Sequence, residues 1–454
     1  MPVVDRLTRQ PESPVKSRLL SHPQSTFLGG LARHYRDRLL KEANLEQLTR
    51  LPRESLRARI ETLVSQMMQE EGQLISYEDR LGLISSILDE TVGYGPLEPL
   101  FHDPSITEIM VNGPNKVYVE VEGQPDLQLR TDITFNNEQH ILDIIDRIIA
   151  PLGRRLDESS PMVDARLPDG SRVHAVIRPL AVDGPVLTIR RFAKEPYTIE
   201  KLQSNLTLTP EMARFLEACV KAKLNILVSG GTGSGKTTTL NVLSSFIPAN
   251  ERIITIEDAA ELRFFEHHPH VVRLEARPPN IEGKGEITIR QLVRNALRMR
   301  PNRIVVGEVR GPEALDMLQA MNTGHEGSLT TIHANSAKDA FSRLETMVSQ
   351  AGLELPLHAI RSQVIGALNI VLQQDRMVDN TRRIVAISEI QGVEDGEIAL
   401  KDVFKFTQTG VTPDGKVTGY FSATGFKPRC LERFEVFGLK LSPDLFDPQR
   451  RVEV

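Results

Sequence analysis

Gly230-Gly231-Thr232-Gly233-Ser234-Gly235-Lys236-Thr237 fits the pattern G-x-x-x-x-G-K-[ST]. An apolar run, Leu224-Asn225-Ile226-Leu227-Val228, precedes it, and a helix-forming stretch from Thr238 to Ile247 follows. This strand–loop–helix setting is what allows the pattern to bind phosphates. Glycines let the backbone curl with its N–H groups facing inward, and the helix start adds the positive end of its dipole. Gly230, Gly231, Thr232, Gly233, Ser234, Gly235, Lys236, Thr237 and Thr238 are therefore predicted to cradle a nucleoside triphosphate. Lys236 would reach the β and γ phosphates and Thr237 would hold Mg2+.

Three more apolar runs end in chemistry. Ile253–Ile256 is followed by Glu257-Asp258, Ile304–Val306 by Gly307-Glu308-Val309-Arg310, and Leu329–Ile332 by His333. In a parallel sheet, ligands gather at the carboxyl ends of the strands, so these residues belong at one edge with the glycine-rich loop. Glu308 is the leading candidate to orient an attacking water and to reach Mg2+ through water. The plain alternative is a surface carboxylate paired with Arg310. Gly307 stands where many such sites carry Asp, which leaves Thr237 as the main protein ligand of the metal. Glu257 is assigned a catalytic or metal role, since two neighbouring acids raise one another's pKa. Asp258 stays open, because with Glu261 it has the spacing of a capping box. His325 and His333 flank the fourth run and are predicted to form a hydrogen-bonded sensor of the γ-phosphate. Their spacing fits no familiar metal-ligand pattern.

Arginines recur on strand-like segments ahead of this region: Arg166, Arg172, Arg178, Arg190 and Arg191. An arginine placed on the γ-phosphate from another domain or subunit accelerates transfer by roughly 10³–10⁵. Arg190 and Arg191 face opposite sides of a strand, so at most one serves a given site. Arg172 and Arg190 are the candidates; the rest read as surface arginines on a sheet.

The elements that must hold these groups follow from the pattern. Residues 1–27 mix Pro, Ser and charge, lack a signal-peptide core, and read as a disordered tail. From 28 to 93 the pattern is helical, with Leu31, Tyr35 and Leu39 on one face, then Arg53 to Glu71, then Tyr77 to Glu90. Residues 94–193 alternate strands with one helix, Asn137 to Ala150, which implies an α+β domain. A linker, 194–208, leads to 209–428, where strands and helices alternate as in a parallel α/β sheet covered on both faces. Residues 429–454 read as a C-terminal tail.

The chain has 454 residues and a formal net charge of -5, which gives no support to global nucleic-acid binding. Its two cysteines, Cys219 and Cys430, suggest neither a disulfide framework nor a zinc site. A reducing cytosolic compartment fits. No apolar run is long enough to span a bilayer, so work on a membrane process would need docking to partners from the cytosolic side.

The ordered motifs resemble the secretion-ATPase superfamily of type II and type IV secretion and pilus assembly. Gly230–Thr237 looks like its Walker A motif, Ile254–Leu262 its Asp box, Arg303–Arg310 its Walker B and Thr323–Asn335 its His box. Tyr94-Gly95-Pro96-Leu97-Glu98-Pro99-Leu100, Ile109–Pro114 and Asp164–Val173 resemble the TadA/CpaF branch, the motors of tight-adherence pili. Ala259 stands where pilus-retraction relatives have Pro, and the longer spacing between the two His is similar to the tight-adherence and VirB11-like branches. The tetracysteine zinc module of type II secretion motors is absent.

The resemblance implies a RecA-like ATPase domain preceded by a PAS-like domain and a small helical bundle. It implies a homo-hexamer using ATP and Mg2+, with Arg172 and Arg190 reaching the phosphates. The ring would be cytoplasmic, peripheral at the inner membrane, and would act through platform proteins, indirectly on pilin subunits, without binding nucleic acid directly. The alternatives are a VirB11-like motor moving protein or DNA, a DNA-stimulated RecA-like ATPase, and a non-hydrolysing nucleotide switch.

Overall fold

The structure, a computed structural model, describes residues 30–32, 34–36, 38–39, 53–122, 124–191, 197–264, 268–279 and 283–454. The tail read over 1–27 lies outside the described residues. The chain divides into two compact units, Met1–Lys194 and Glu195–Val454.

The first unit begins with helices Arg53–Glu70 and Tyr77–Val92. Leu56, Ile60, Val64 and Met67 recur at helical spacing and bury against Leu83, Ile84 and Ile87, and Tyr35 and Leu39 complete the cluster. Six antiparallel strands follow: β1 Ile106–Asn112, β2 Val117–Val121, β3 Gln124–Arg130, β4 Met162–Arg166, β5 Arg172–Val176 and β6 Val186–Arg190, in the order β3-β2-β1-β6-β5-β4. Helix Glu138–Ile149 covers one face with Ile141, Ile144, Ile145 and Ile148, and Asn137 accepts from His140 N at its start.

Strand alternation sends Ile109, Val173 and Ile189 into that core and leaves the charged partners on the other face. There Arg166 pairs with Arg172, Arg172 with Arg190, Arg190 with Glu108, and Glu108 with Glu120. This face therefore carries charge of both signs, with Glu108 beside Arg190 and opposite charges across a pair attracting one another. Arg191 has turned the other way. Its guanidinium donates to the carbonyls of Leu100, Phe101, Asp103 and Ile106 at 2.6–3.1 Å, closing the end of helix Glu98–His102. Its role is structural. Arg191→Ala should therefore lower unfolding stability by about 2–3 kcal/mol, read as a shifted denaturant midpoint, whereas Arg190→Ala should leave the midpoint nearly unchanged.

The second unit carries a ten-stranded sheet, with β7 Ile226–Gly230, β8 Ile253–Glu257, β9 Val271–Glu275, β10 Arg303–Val309, β11 Leu329–His333, β12 Ile370–Arg376, β13 Arg382–Glu394, β14 Glu397–Val411, β15 Val417–Ala423 and β16 Arg451–Glu453. Their order is β16-β15-β14-β13-β12-β7-β11-β10-β8-β9. From β12 to β9 every pair is parallel, and two buried cores lie on the two faces. Beyond β12 the sheet departs from the expected all-parallel plan and becomes an antiparallel meander. The turn chemistry accounts for this. Asp395 and Gly396, at φ 52 and 80, join β13 to β14 across the Glu394–Glu397 pair in a two-residue loop that only antiparallel neighbours can use.

Two further expectations need correction. In the linker read over 194–208, helix Ile199–Ser204 starts on a Thr198 cap, and Leu202 and Leu208 enter the core. The C-terminal segment 429–454 is folded rather than a free tail. Phe434 and Phe446 stack around Phe215 with Phe404, β16 pairs with β15, and buried Glu389 accepts from Arg429 N and Cys430 N. Aromatic burial of this size outweighs the ordering cost of so short a segment. Cys219 and Cys430, distant in sequence, share this core as free thiols. Among the described residues no helix is long and apolar enough to cross a membrane.

Candidate active site

Strand β7 ends at Gly230, and helix Lys236–Ser244 starts six residues on. Gly233 and Gly235 take φ of 70 and 96, the left-handed region that glycine enters freely, and this curls the loop. A Cβ on Gly230 would stand 2.2 Å from the Gln374 carbonyl oxygen, so the close approach of β12 also demands glycine there. Inside the curl, Ser234 N, Ser234 Oγ and Lys236 Nζ all converge on the Gly231 carbonyl at 3.4, 2.9 and 2.8 Å. Three donors gathered on one acceptor are the arrangement a phosphate oxygen would exploit. Burial pulls the Lys236 ammonium down to about 8, against the opposing pull of Glu308.

Parallel pairing brings the other strand ends to this loop. His333 pairs with Gly230 across β11 and β7, and Lys236 Nζ lies 3.4 Å from His333 Nδ1. His333 Nε2 stands 3.0 Å from Glu308 Oε1, off the line of a good hydrogen bond. Burial, with Lys236 next, lowers the His333 pKa, so a neutral ring fits, with Nδ1 facing the ammonium. Glu308 Oε2 accepts from Arg310 at 2.6 Å, and Arg310 continues to Asp258 at 3.5 Å. Glu308 thus forms the ion pair with Arg310, while its other oxygen is buried without a hydrogen-bond partner.

Glu257 closes β8. Its Oε1 accepts from the N–H groups of Glu261 and Leu262, both at 2.9 Å, so Glu257 caps the segment for which the spacing of Asp258 and Glu261 leaves a capping role open. Its Oε2 is buried without a hydrogen-bond partner, and burial pushes the carboxyl up to about 7. Gly307 follows Val306, the residue paired with Ile256, and a Cβ there would lie 2.7 Å from Glu257 Cγ. The missing side chain at 307 is therefore the space that Glu257 fills. Any larger residue would displace this carboxylate.

One predicted residue of the second unit is not brought to the loop. His325 lies before the start of β11, the end opposite His333, where its carbonyl accepts from Ser328 Oγ. Side chains at the two ends of one strand cannot share a phosphate, so the histidine pair separates and only His333 stays with Lys236. Arg172 and Arg190 sit in the first unit, in register with each other. Thr237 and Thr238 lie in the first turn of the helix after the loop.

Sequence reasoning missed Gln374 and Arg382. Gln374 Oε1 accepts from Thr239 Oγ1 at 2.7 Å, and Arg382 Nε donates to Gly233 O at 2.9 Å. Neither belongs to a motif; the parallel pairing of β12 with β7 brings in Gln374, and the antiparallel pairing of β13 with β12 brings in Arg382.

Among the described residues, no group of three His, Cys, Asp or Glu side chains is placed to hold a metal ion. Mg2+ travelling with a nucleotide needs only one or two protein oxygens, with phosphates and water supplying the rest. Thr237 in the helix's first turn, with the unsatisfied Glu257 Oε2 and Glu308 Oε1 at neighbouring strand ends, fits a hydrated divalent cation.

The model of the family described as "Type II/IV secretion system protein" matches residues 90–405. The chain belongs to this family. A putative conjugal transfer protein of Mycobacterium tuberculosis is 40% identical over 311 residues, 67% of this chain and 86% of that protein. The type IV secretion system protein VirB11 of Brucella suis is 31% identical over 317 residues, 64% and 87% of the two chains. Among solved structures, the VirB11 ATPase of the Brucella suis type IV secretion system, in complex with sulphate, matches 65% of this chain and 92% of its own at 30% identity, with a TM-score of 0.36. The pilus retraction motor PilT with bound ADP matches 67% and 81% at 22% identity, with a TM-score of 0.45.

Proposed function

We propose that this family member is an ATP-hydrolysing motor that powers assembly, and by reversal retraction, of a tight-adherence type IV-like pilus. The observation that carries the reading is the convergence of Lys236, His333, Glu308 and Glu257 at the ends of four adjacent parallel strands, around a loop with gathered donors.

The loop N–H groups and Lys236 bind the β and γ phosphates of ATP, with Thr238 and Thr237 at the helix start. Mg2+, held by Thr237 and by Glu308 through water, would neutralise developing charge on the phosphates. Glu308, fixed by Arg310, orients the attacking water. Glu257, with a carboxyl near 7, takes the proton as the water adds. His333 lies between Lys236 and Glu308, so a change at the γ-phosphate that shifts the ammonium is felt by the carboxylate. Arg172 and Arg190 neutralise γ-phosphate charge in the assembled ring, a homo-hexamer on the cytoplasmic side of the inner membrane. Platform proteins receive the motion and pass it to pilin subunits.

A second reading is a VirB11-like motor for protein or DNA transfer, favoured by the conjugal transfer and VirB11 names of the relatives. The Tyr94–Leu100 and Asp164–Val173 segments support the pilus branch. A DNA-stimulated ATPase is disfavoured by the acidic balance. Deleting the gene separates the first two: loss of surface pili with conjugation intact supports the pilus motor, and the reverse result overturns it.

The two shifted groups set the pH dependence. Glu257 loses its proton, and becomes a base, as pH rises through about 7. Lys236 loses its charge in the nucleotide-free site above about 8, which weakens ATP capture. Turnover at sub-saturating ATP should therefore rise through about 7 and fall beyond about 8. A rate unchanged across both limbs contradicts these assignments.

A further inference from the structure

We propose that the β12–β13 hairpin braces the phosphate loop, and that Arg382 is a positioning residue whose hydrogen bond to Gly233 sets nucleotide affinity. The inference rests on the nucleotide reading above and adds to it a support that no phosphate-binding motif contains.

The brace begins in the sheet. β12 runs parallel to β7 and pairs Gln374 with Gly230, the last residue before the loop. Gln374 is 1% exposed, and its carboxamide accepts from Thr239 Oγ1 at 2.7 Å, tying the helix after the loop back to the strand beside it. The same carboxamide nitrogen stands 3.0 Å from where a Cβ on Gly235 would be. The entry and the exit of the loop are thus both seated on one side chain's backbone and tip.

The middle of the loop is seated by the hairpin's far end. Arg376 and Arg382 face each other across the paired strands. Two guanidinium groups in this relation repel unless each has an acceptor. Arg376 donates to Asn380 Oδ1 at 3.0 Å within the hairpin, while Arg382 Nε donates to Gly233 O at 2.9 Å. A trans peptide points its C=O and the following N–H in opposite directions. Holding the Gly233 carbonyl outward therefore aims the Ser234 N–H inward, where it already lies 3.4 Å from the Gly231 carbonyl. Arg382 acts on the loop through the Gly233 carbonyl. It fixes the plane of the peptide whose N–H faces inward, and a charged donor makes that bond stronger than a neutral one.

Preorganisation of this kind acts on binding in the ground state and transition state alike, so it moves KM more than kcat. It also acts on ATP and ADP together, because the loop grips what the two share.

The test uses the full chain with Arg382→Met and Arg382→Gln, which are close in volume. Gln carries an N–H donor at the position of the Arg Nε, and Met fills the space without one. Equilibrium binding of fluorescent ATP and ADP analogues and steady-state hydrolysis are measured beside Lys236→Ala. R382M should weaken ATP and ADP by a similar factor, about tenfold, with KM following and kcat changing less than about twofold. R382Q should recover most of the loss. R382M binding like wild type, R382Q as weak as R382M, or a fall in kcat at unchanged KM would overturn the brace while leaving the nucleotide site standing. A wild-type chain that binds neither nucleotide overturns both.

Discussion

Lys236→Ala should abolish ATP turnover, with a fall of at least about 10³-fold, and should weaken ATP binding. The side chain is 7% exposed and folds over the loop onto the Gly231 carbonyl, so the loop has already met the cost of burying a cation before any phosphate arrives. That burial is why the ammonium sits near 8 and why an anion is wanted there. Alanine removes the ammonium that folds onto the Gly231 carbonyl and leaves the backbone donors in place. The effect should appear in both KM and kcat, since Lys236 would touch phosphate before and during transfer. Circular dichroism should remain that of wild type, because no core residue depends on this side chain for packing. Turnover within about tenfold of wild type would remove Lys236 from the chemistry.

Glu308→Gln should separate binding from cleavage. Glutamine keeps the length and one acceptor oxygen but loses the charge that holds Arg310 and faces His333. Turnover should fall by about 10²–10⁴, the usual worth of a positioned acid–base group. ATP affinity should be retained, because the loop and Lys236 are untouched. The variant should therefore trap intact ATP, visible when bound nucleotide is extracted and separated. Glu257→Gln gives a different signature. It should lose the rise in rate through about 7, and its effect on ground-state binding should be small. Normal turnover in Glu308→Gln would return this residue to a surface ion pair with Arg310.

The strand–loop–helix signal and the three other strand ends were legible because each is a short apolar run followed by a polar group, and parallel pairing then leaves little freedom in where those groups go. The Glu257 carboxylate was legible as a candidate. Its capping of the Glu261 and Leu262 amides was not, because that depends on side-chain direction after the strand ends. Gly307 looked like a departure from a pattern until the Glu257 stem was found in its place. His325 and His333 looked like a pair because eight positions hide a whole strand between them. The antiparallel half of the sheet was missed because an apolar strand carries no mark of its neighbour's direction; the Asp395-Gly396 turn was the available signal. Arg190 and Arg191 alternate by strand parity, which shows that they differ, but only the carbonyls around Arg191 show which one is structural.

Phosphate release by the purified chain in Mg2+ and ATP, set beside Lys236→Ala and Glu308→Gln, tests the central claim most directly. The account predicts slow, repeated turnover in the wild type, none in Lys236→Ala, and bound but uncleaved ATP in Glu308→Gln. No turnover in the wild type under any nucleotide and metal condition, or equal turnover in all three proteins, would contradict it.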